Sequence, residues 1–224
     1  MRSGTLRTLV LDDVSIALPT DRRLVVLGQQ GSGRSTLIQL LAGLLLPSSG
    51  EIQRYARLSF PVGYSGLHRP DLTVRQNIVR TAGLYGANPG EVLHFIETVA
   101  NLGPALDEEF RRLPREIRQM VCIALSYAIP FETYLVDEHV AAGPPEFRKL
   151  CVSMFRNRLA EAGCILATRH VNNARRFGDM GAIIHNGMMA LYEDLDEAIA
   201  DFEELQQHAA ETSAADRDPD ERYV

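Results

Sequence analysis

The chain has 224 residues, 46% of them hydrophobic, which suits one sizeable α/β domain, alone or with an inserted lobe. No apolar run approaches the roughly 18 residues needed to span a bilayer, and the N-terminus carries no secretory signal, so a cytosolic chain is expected. The net charge of −6 is uneven: the last 32 residues hold 12 acidic and 2 basic side chains, and the weakly basic body that remains does not read as a nucleic-acid binder.

In chain order, Val10 to Leu18 alternates loosely and stops at Pro19, predicting a first strand. Leu24 to Leu27 is a short apolar run entering a glycine-rich loop, the pattern of a buried parallel strand. Ser35 to Leu46 predicts a helix with a broad apolar face, broken by Pro47-Ser48-Ser49-Gly50. A helical middle follows. Thr73 and Gln76 form a capping box for a helix to about Tyr85, and Asn88-Pro89 opens another to about Leu102. Glu116 to Ile129 is a third. Thr133 to Val136 predicts a buried strand ending in Asp137-Glu138, followed by a helix over Phe147 to Ala162 and a strand over Cys164 to Ala167. Asn173 to Phe177 predicts a short helix, and Ala182 to His185 with Met188 to Tyr192 a hairpin turning at Asn186-Gly187. From about Ala209 the composition predicts an acidic, disordered tail. Cys122, Cys151 and Cys164 have neither paired nor metal-type spacing and read as small buried hydrophobes.

Two motifs carry chemistry. Gly28-Gln29-Gln30-Gly31-Ser32-Gly33-Arg34-Ser35-Thr36 lies between a predicted strand and a predicted helix, the context of a phosphate-binding P-loop. Glycines let successive backbone N–H groups curl toward one point, and the helix N-terminus adds partial positive charge. The usual lysine is Arg34, and Ser35 supplies the hydroxyl expected on Mg²⁺. Arginine keeps the charge but is larger and planar, so nucleotide binding is expected to be weakened or re-posed, and hydrolysis to suffer more. About 100 residues on, Asp137 and Glu138 end an apolar strand. Asp137 can hold Mg²⁺ and Glu138 can polarise a water, or the two can simply cap the strand end.

Further segments narrow the field: Leu58-Ser59-Phe60-Pro61-Val62-Gly63, Leu72-Thr73-Val74-Arg75-Gln76-Asn77, Gly83-Leu84-Tyr85-Gly86, Leu125-Ser126-Tyr127-Ala128, Phe131 to Glu138, and Val140-Ala141-Ala142-Gly143. In this order and spacing, and over nearly the whole length, the chain resembles the ATP-binding cassette ATPases. The resemblance is in particular to the ATPase subunits of capsular-polysaccharide and O-antigen exporters. It implies a P-loop NTPase fold, a mostly parallel sheet flanked by helices, with a helical subdomain at about residues 72–130 inside a domain of residues 1–208. It also implies ATP and Mg²⁺ as ligands, a homo- or heterodimer of ATPase subunits, an integral-membrane permease partner, and a place on the inner face of the cell membrane.

Several positions depart from that family's pattern. Its signature segment falls on Leu113-Pro114-Arg115-Glu116-Ile117, where Pro114 has no N–H to offer a phosphate and Glu116 would repel one. An expected glutamine is Arg69, an expected aspartate is Pro144, and the switch histidine aligns with Arg169, one place before His170. His170 is then either a shifted switch or a surface histidine at a helix start. The chain also begins inside the first expected strand, without the aromatic that would stack on adenine. Two functions stay open from sequence: an energy-coupling ATPase for polysaccharide export, or a non-catalytic nucleotide-binding subunit paired with a competent one.

Overall fold

The computed structural model describes residues 10–215. Its centre is a five-stranded sheet in the order β2-β3-β1-β4-β5, comprising β1 (Arg23–Gly28), β2 (Thr133–Asp137), β3 (Gly163–Thr168), β4 (Met180–His185) and β5 (Met188–Tyr192). The first four strands run parallel, and β5 returns antiparallel from β4 through Asn186-Gly187, both at positive φ. Central parallel strands are covered on both faces, so they must be apolar throughout. Accordingly, Val25 and Leu27 of β1 join one hydrophobic cluster, while Leu24 and Val26 join the other with Leu37 and Ile38. The fold class expected from the sequence is the one observed.

Helix α1 (Arg34–Leu41) follows β1 through the glycine loop and is shorter than the span to Leu46 predicted for it. Gly43, at φ +72°, ends it: the Gly43 N–H donates to Leu40 O and the Leu44 N–H to Gln39 O, a Schellman closure. Arg54 then caps the Leu40 and Leu41 carbonyls, and Leu46 is left exposed. The helical middle is present as α2 (Val74–Leu84), α3 (Pro89–Ala100) and α4 (Arg115–Ala128). The Thr73–Gln76 capping box is reciprocal, and Asn88 caps α3 by accepting from Gly90 and Glu91. After β2 come α5 (Pro145–Arg158) and, past β3, α6 (Val171–Phe177).

Two expectations fail. Val10 to Leu18 forms no strand: Asp13 sits at φ +48°, and the segment is tied down by Asp12 N–H donating to Gly187 O at 2.8 Å. A helix absent from the sequence prediction, α7 (Leu195–Ala215), packs on β4 through Leu195, Ala198, Ile199 and Phe202. It passes position 209, where the tail was expected to begin; residues 216–224 of that tail lie outside the described residues. Leu195, Ala198, Ile199, Phe202 and Leu205 recur at three- and four-residue steps, a helical stripe outweighed in the sequence by the surrounding charge. Among the described residues no helix is long and apolar enough to cross a membrane. All three cysteines are buried and unpaired, and burial pushes each thiol up, Cys122 and Cys164 to about 12.

Candidate functional site

The site lies at the C-terminal ends of three adjacent strands. In register, Asp137 of β2 stands opposite Ala167 of β3, and Thr168 of β3 opposite Leu27 of β1, so these ends open beside Gly28. The loop from Gly28 to Gly33 depends on its glycines at two points. A Cβ on Gly33 would fall 2.1 Å from Val10 Cγ1 at φ +100°, and one on Gly28 would fall 2.3 Å from Ser32 Oγ. Gly31, at φ +83°, faces open space. The Ser32 hydroxyl is buried without a partner, a polar atom turned into a loop whose shape suits an anion.

Ser35, in the first turn of α1, donates its hydroxyl to Asp137 Oδ1 at 3.0 Å. This brings together the hydroxyl and carboxylate that the sequence pairs on Mg²⁺. Thr36 is half-buried behind them. Arg34 Nη1 lies 2.7 Å from Glu138 Oε1, with the Arg34 side chain 10% and the Glu138 side chain 24% exposed. The contact is an ion pair without hydrogen-bond alignment, since Nη1 makes no directed bond. Glu138 Oε2 accepts the Thr168 hydroxyl at 3.0 Å. The Glu138 backbone is left-handed, φ +63°, held by its N–H on Ala167 O at 2.8 Å. Such a conformation costs about 1–3 kcal/mol in a non-glycine residue and persists only when neighbours enforce it.

His170 caps α6 and is exposed; with Arg169, Gln29, Gln30, Gln206 and Ala209 it lines an open cavity of about 540 Å³. The Gln29 amide donates to Leu205 O, so α7 supplies a wall of this cavity. Neither that wall nor Thr168 was named as part of the site from sequence. The contribution of α7 had no sequence signal beyond its apolar stripe, and Thr168 only its place at a buried strand's end. Arg69 does not join the cluster: its side chain pairs with Asp71 at 3.0 Å while its backbone N–H is held by Asn77.

The segment from Leu113 to Ile117 starts α4, with Pro114 as a cap that offers no side-chain hydrogen bond. Glu116 in the first turn sets a carboxylate against the helix's positive end. That end is therefore a poor phosphate receptor. The P-loop itself fits a nucleotide: glycine-shaped backbone, an unpartnered buried hydroxyl, an arginine, and a Ser–Asp pair able to hold a divalent cation. That cation would neutralise phosphate charge.

Comparison with known proteins agrees. Residues 11–141 match the family described as ABC transporter. The chain is 29% identical over 208 residues to the polysialic acid transport ATP-binding protein KpsT of Escherichia coli, covering 92% of this chain and 93% of that one. It is 30% identical to the capsule polysaccharide export ATP-binding protein CtrD of Neisseria meningitidis serogroup B, over 88% and 91% of the two chains. A solved structure of an ATP-binding subunit of an ABC transporter shares the fold at a TM-score of 0.67 and 19% identity, covering 89% of this chain and 95% of that one. With the P-loop, the paired strand-end carboxylates and the helical lobe all in place, the chain belongs to the ABC transporter family.

Proposed function

We propose that the chain is the ATP-binding subunit of an ABC exporter of capsular or related surface polysaccharide. The observation that carries this is similarity along nearly the full length to KpsT and CtrD, whose names specify that transport. The P-loop from Gly28 to Thr36 holds the ATP phosphates, and Ser35 with Asp137 holds Mg²⁺. Glu138 polarises the attacking water, and His170 is the residue assigned to orient it. The subunit works as a dimer of ATPase subunits on a membrane permease, at the inner face of the cell membrane. In an asymmetric head-to-tail pair with a different ATPase subunit, the altered segment from Leu113 to Ile117 faces the partner's site rather than this chain's own P-loop; in a homodimer it faces both sites.

Deletion of the gene from its host tests the proposal. Surface polysaccharide is expected to disappear from the cell exterior and accumulate inside. Wild-type protein restores export and Glu138→Gln does not. Undisturbed surface polysaccharide in the deletion strain would overturn the export reading, and rescue by Glu138→Gln would overturn the role of hydrolysis.

A further inference from the structure

We propose that Thr168 is a positioning residue for ATP hydrolysis, its hydroxyl tying the water-polarising carboxylate of Glu138 to the backbone of the His170 turn. The proposal rests on the catalytic reading of Glu138 and adds to it a residue that touches neither nucleotide nor metal in that reading.

A threonine hydroxyl has one proton to give and lone pairs to receive. Here both capacities are spent within one site. The Thr168 hydroxyl donates to Glu138 Oε2 at 3.0 Å and accepts the His170 N–H at 3.1 Å. Thr168 is fully buried at the last position of β3, which holds its hydroxyl in one place between the two partners. The neighbouring strand end fixes its position, with Leu27 of β1 opposite it and Gly28 of the P-loop next along β1.

Glu138 needs such a guide. Its left-handed backbone leaves the side chain reaching back across the strand ends, and its other oxygen is engaged by Arg34 at 2.7 Å. Once nucleotide phosphate draws Arg34 away, Thr168 is the remaining side-chain hold on the carboxylate among the described residues. A base displaced by a fraction of an ångström loses rate steeply, on the order of 10²-fold per ångström. The same hydroxyl receives the His170 N–H, so a shift of that turn reaches Glu138 through one atom.

A residue that merely satisfies buried polar groups would behave differently, because its loss would loosen the strand end and weaken nucleotide binding along with turnover. The test is steady-state ATP turnover by the full chain, with nucleotide affinity and thermal midpoint measured in parallel. Wild type, Thr168→Val, Thr168→Ser and a Glu138→Gln control are compared. Thr168→Val is expected to lower kcat by roughly tenfold or more while KM for ATP changes less than about twofold. Thr168→Ser, which keeps the hydroxyl, recovers most of the rate. Thr168→Ala gives the same readout without setting a methyl group against the two polar partners if valine is not tolerated. Turnover by wild type that Glu138→Gln abolishes but Thr168→Val leaves intact would overturn the role of Thr168 alone. A parallel loss of affinity, thermal midpoint and rate would also overturn it, in favour of a structural part. Absence of wild-type turnover would remove the catalytic reading, and the role of Thr168 with it.

Discussion

Arg34 of the P-loop and Glu138 at the end of β2 form a direct ion pair, 2.7 Å between Nη1 and Oε1. The cation expected to meet nucleotide phosphate is therefore held by the carboxylate expected to act on water. Both side chains are mostly shielded from solvent, so phosphate must compete for Arg34 with a charge already in place. A planar guanidinium spans this gap in a way that favours carboxylate and phosphate alike.

That competition predicts the effect of Glu138→Gln on binding. Removing the carboxylate's charge frees Arg34 and lowers repulsion toward the phosphates. Affinity for ADP, which cannot report on hydrolysis, is expected to rise several-fold in calorimetric titration. Arg34→Ala is expected to weaken it by roughly tenfold or more, as loss of a charged phosphate contact does.

Gly33→Ala is expected to damage the loop directly. Its φ of +100° disfavours any side chain, and the new Cβ would meet Val10 Cγ1 at 2.1 Å. A cost of about 1–3 kcal/mol is expected for the backbone alone. A lowered thermal midpoint with loss of nucleotide binding checks this, and Gly31→Ala, with open space around it, should cost less.

His68 predicts an acid sensitivity unrelated to the nucleotide site. It is buried, stacked on Phe110 at 4.5 Å with Cys122 Sγ 3.7 Å from its Nδ1. Burial, aided by the nearby positive Arg80, pulls it down to about 4 from the ordinary 6.5. The unfolded chain therefore takes up a proton first. Stability from this group is complete above the ordinary value and declines as pH falls toward the folded one, by about 3 kcal/mol in all. Denaturant melts across that window should show a shallower acid loss in His68→Gln than in wild type.

Thr73→Ala is expected to destabilise the helical lobe by about 1 kcal/mol, because the Gln76 N–H loses its acceptor at the start of α2. Urea denaturation with an unchanged m-value checks it, and Thr73→Ser should be nearly neutral.

The amino-acid sequence determined this protein's fold class and pointed to Gly28 to Thr36 as its candidate phosphate loop, because both are written locally. A glycine pattern between an apolar run and a helix suits a phosphate, and buried parallel strands such as Leu24 to Leu27 must be apolar on both faces. The capping residues Thr73 and Asn88 likewise act on their own neighbours, so they were legible. Where the outcome depended on distant partners, local pattern misled or fell silent. Val10 to Leu18 has strand-like alternation but lies against Gly187 without a ladder, since a strand exists only through the neighbour it pairs with. Helix α7 is held by burial on β4, a contact that its charged sequence disguises. The partners of Arg34 and Thr168 are about 100 and 30 residues away in the chain. Their meeting at Glu138 comes from the strand order β2-β3-β1, and only the tertiary structure could decide it, because hydrogen bonds and ion pairs depend on distances in space.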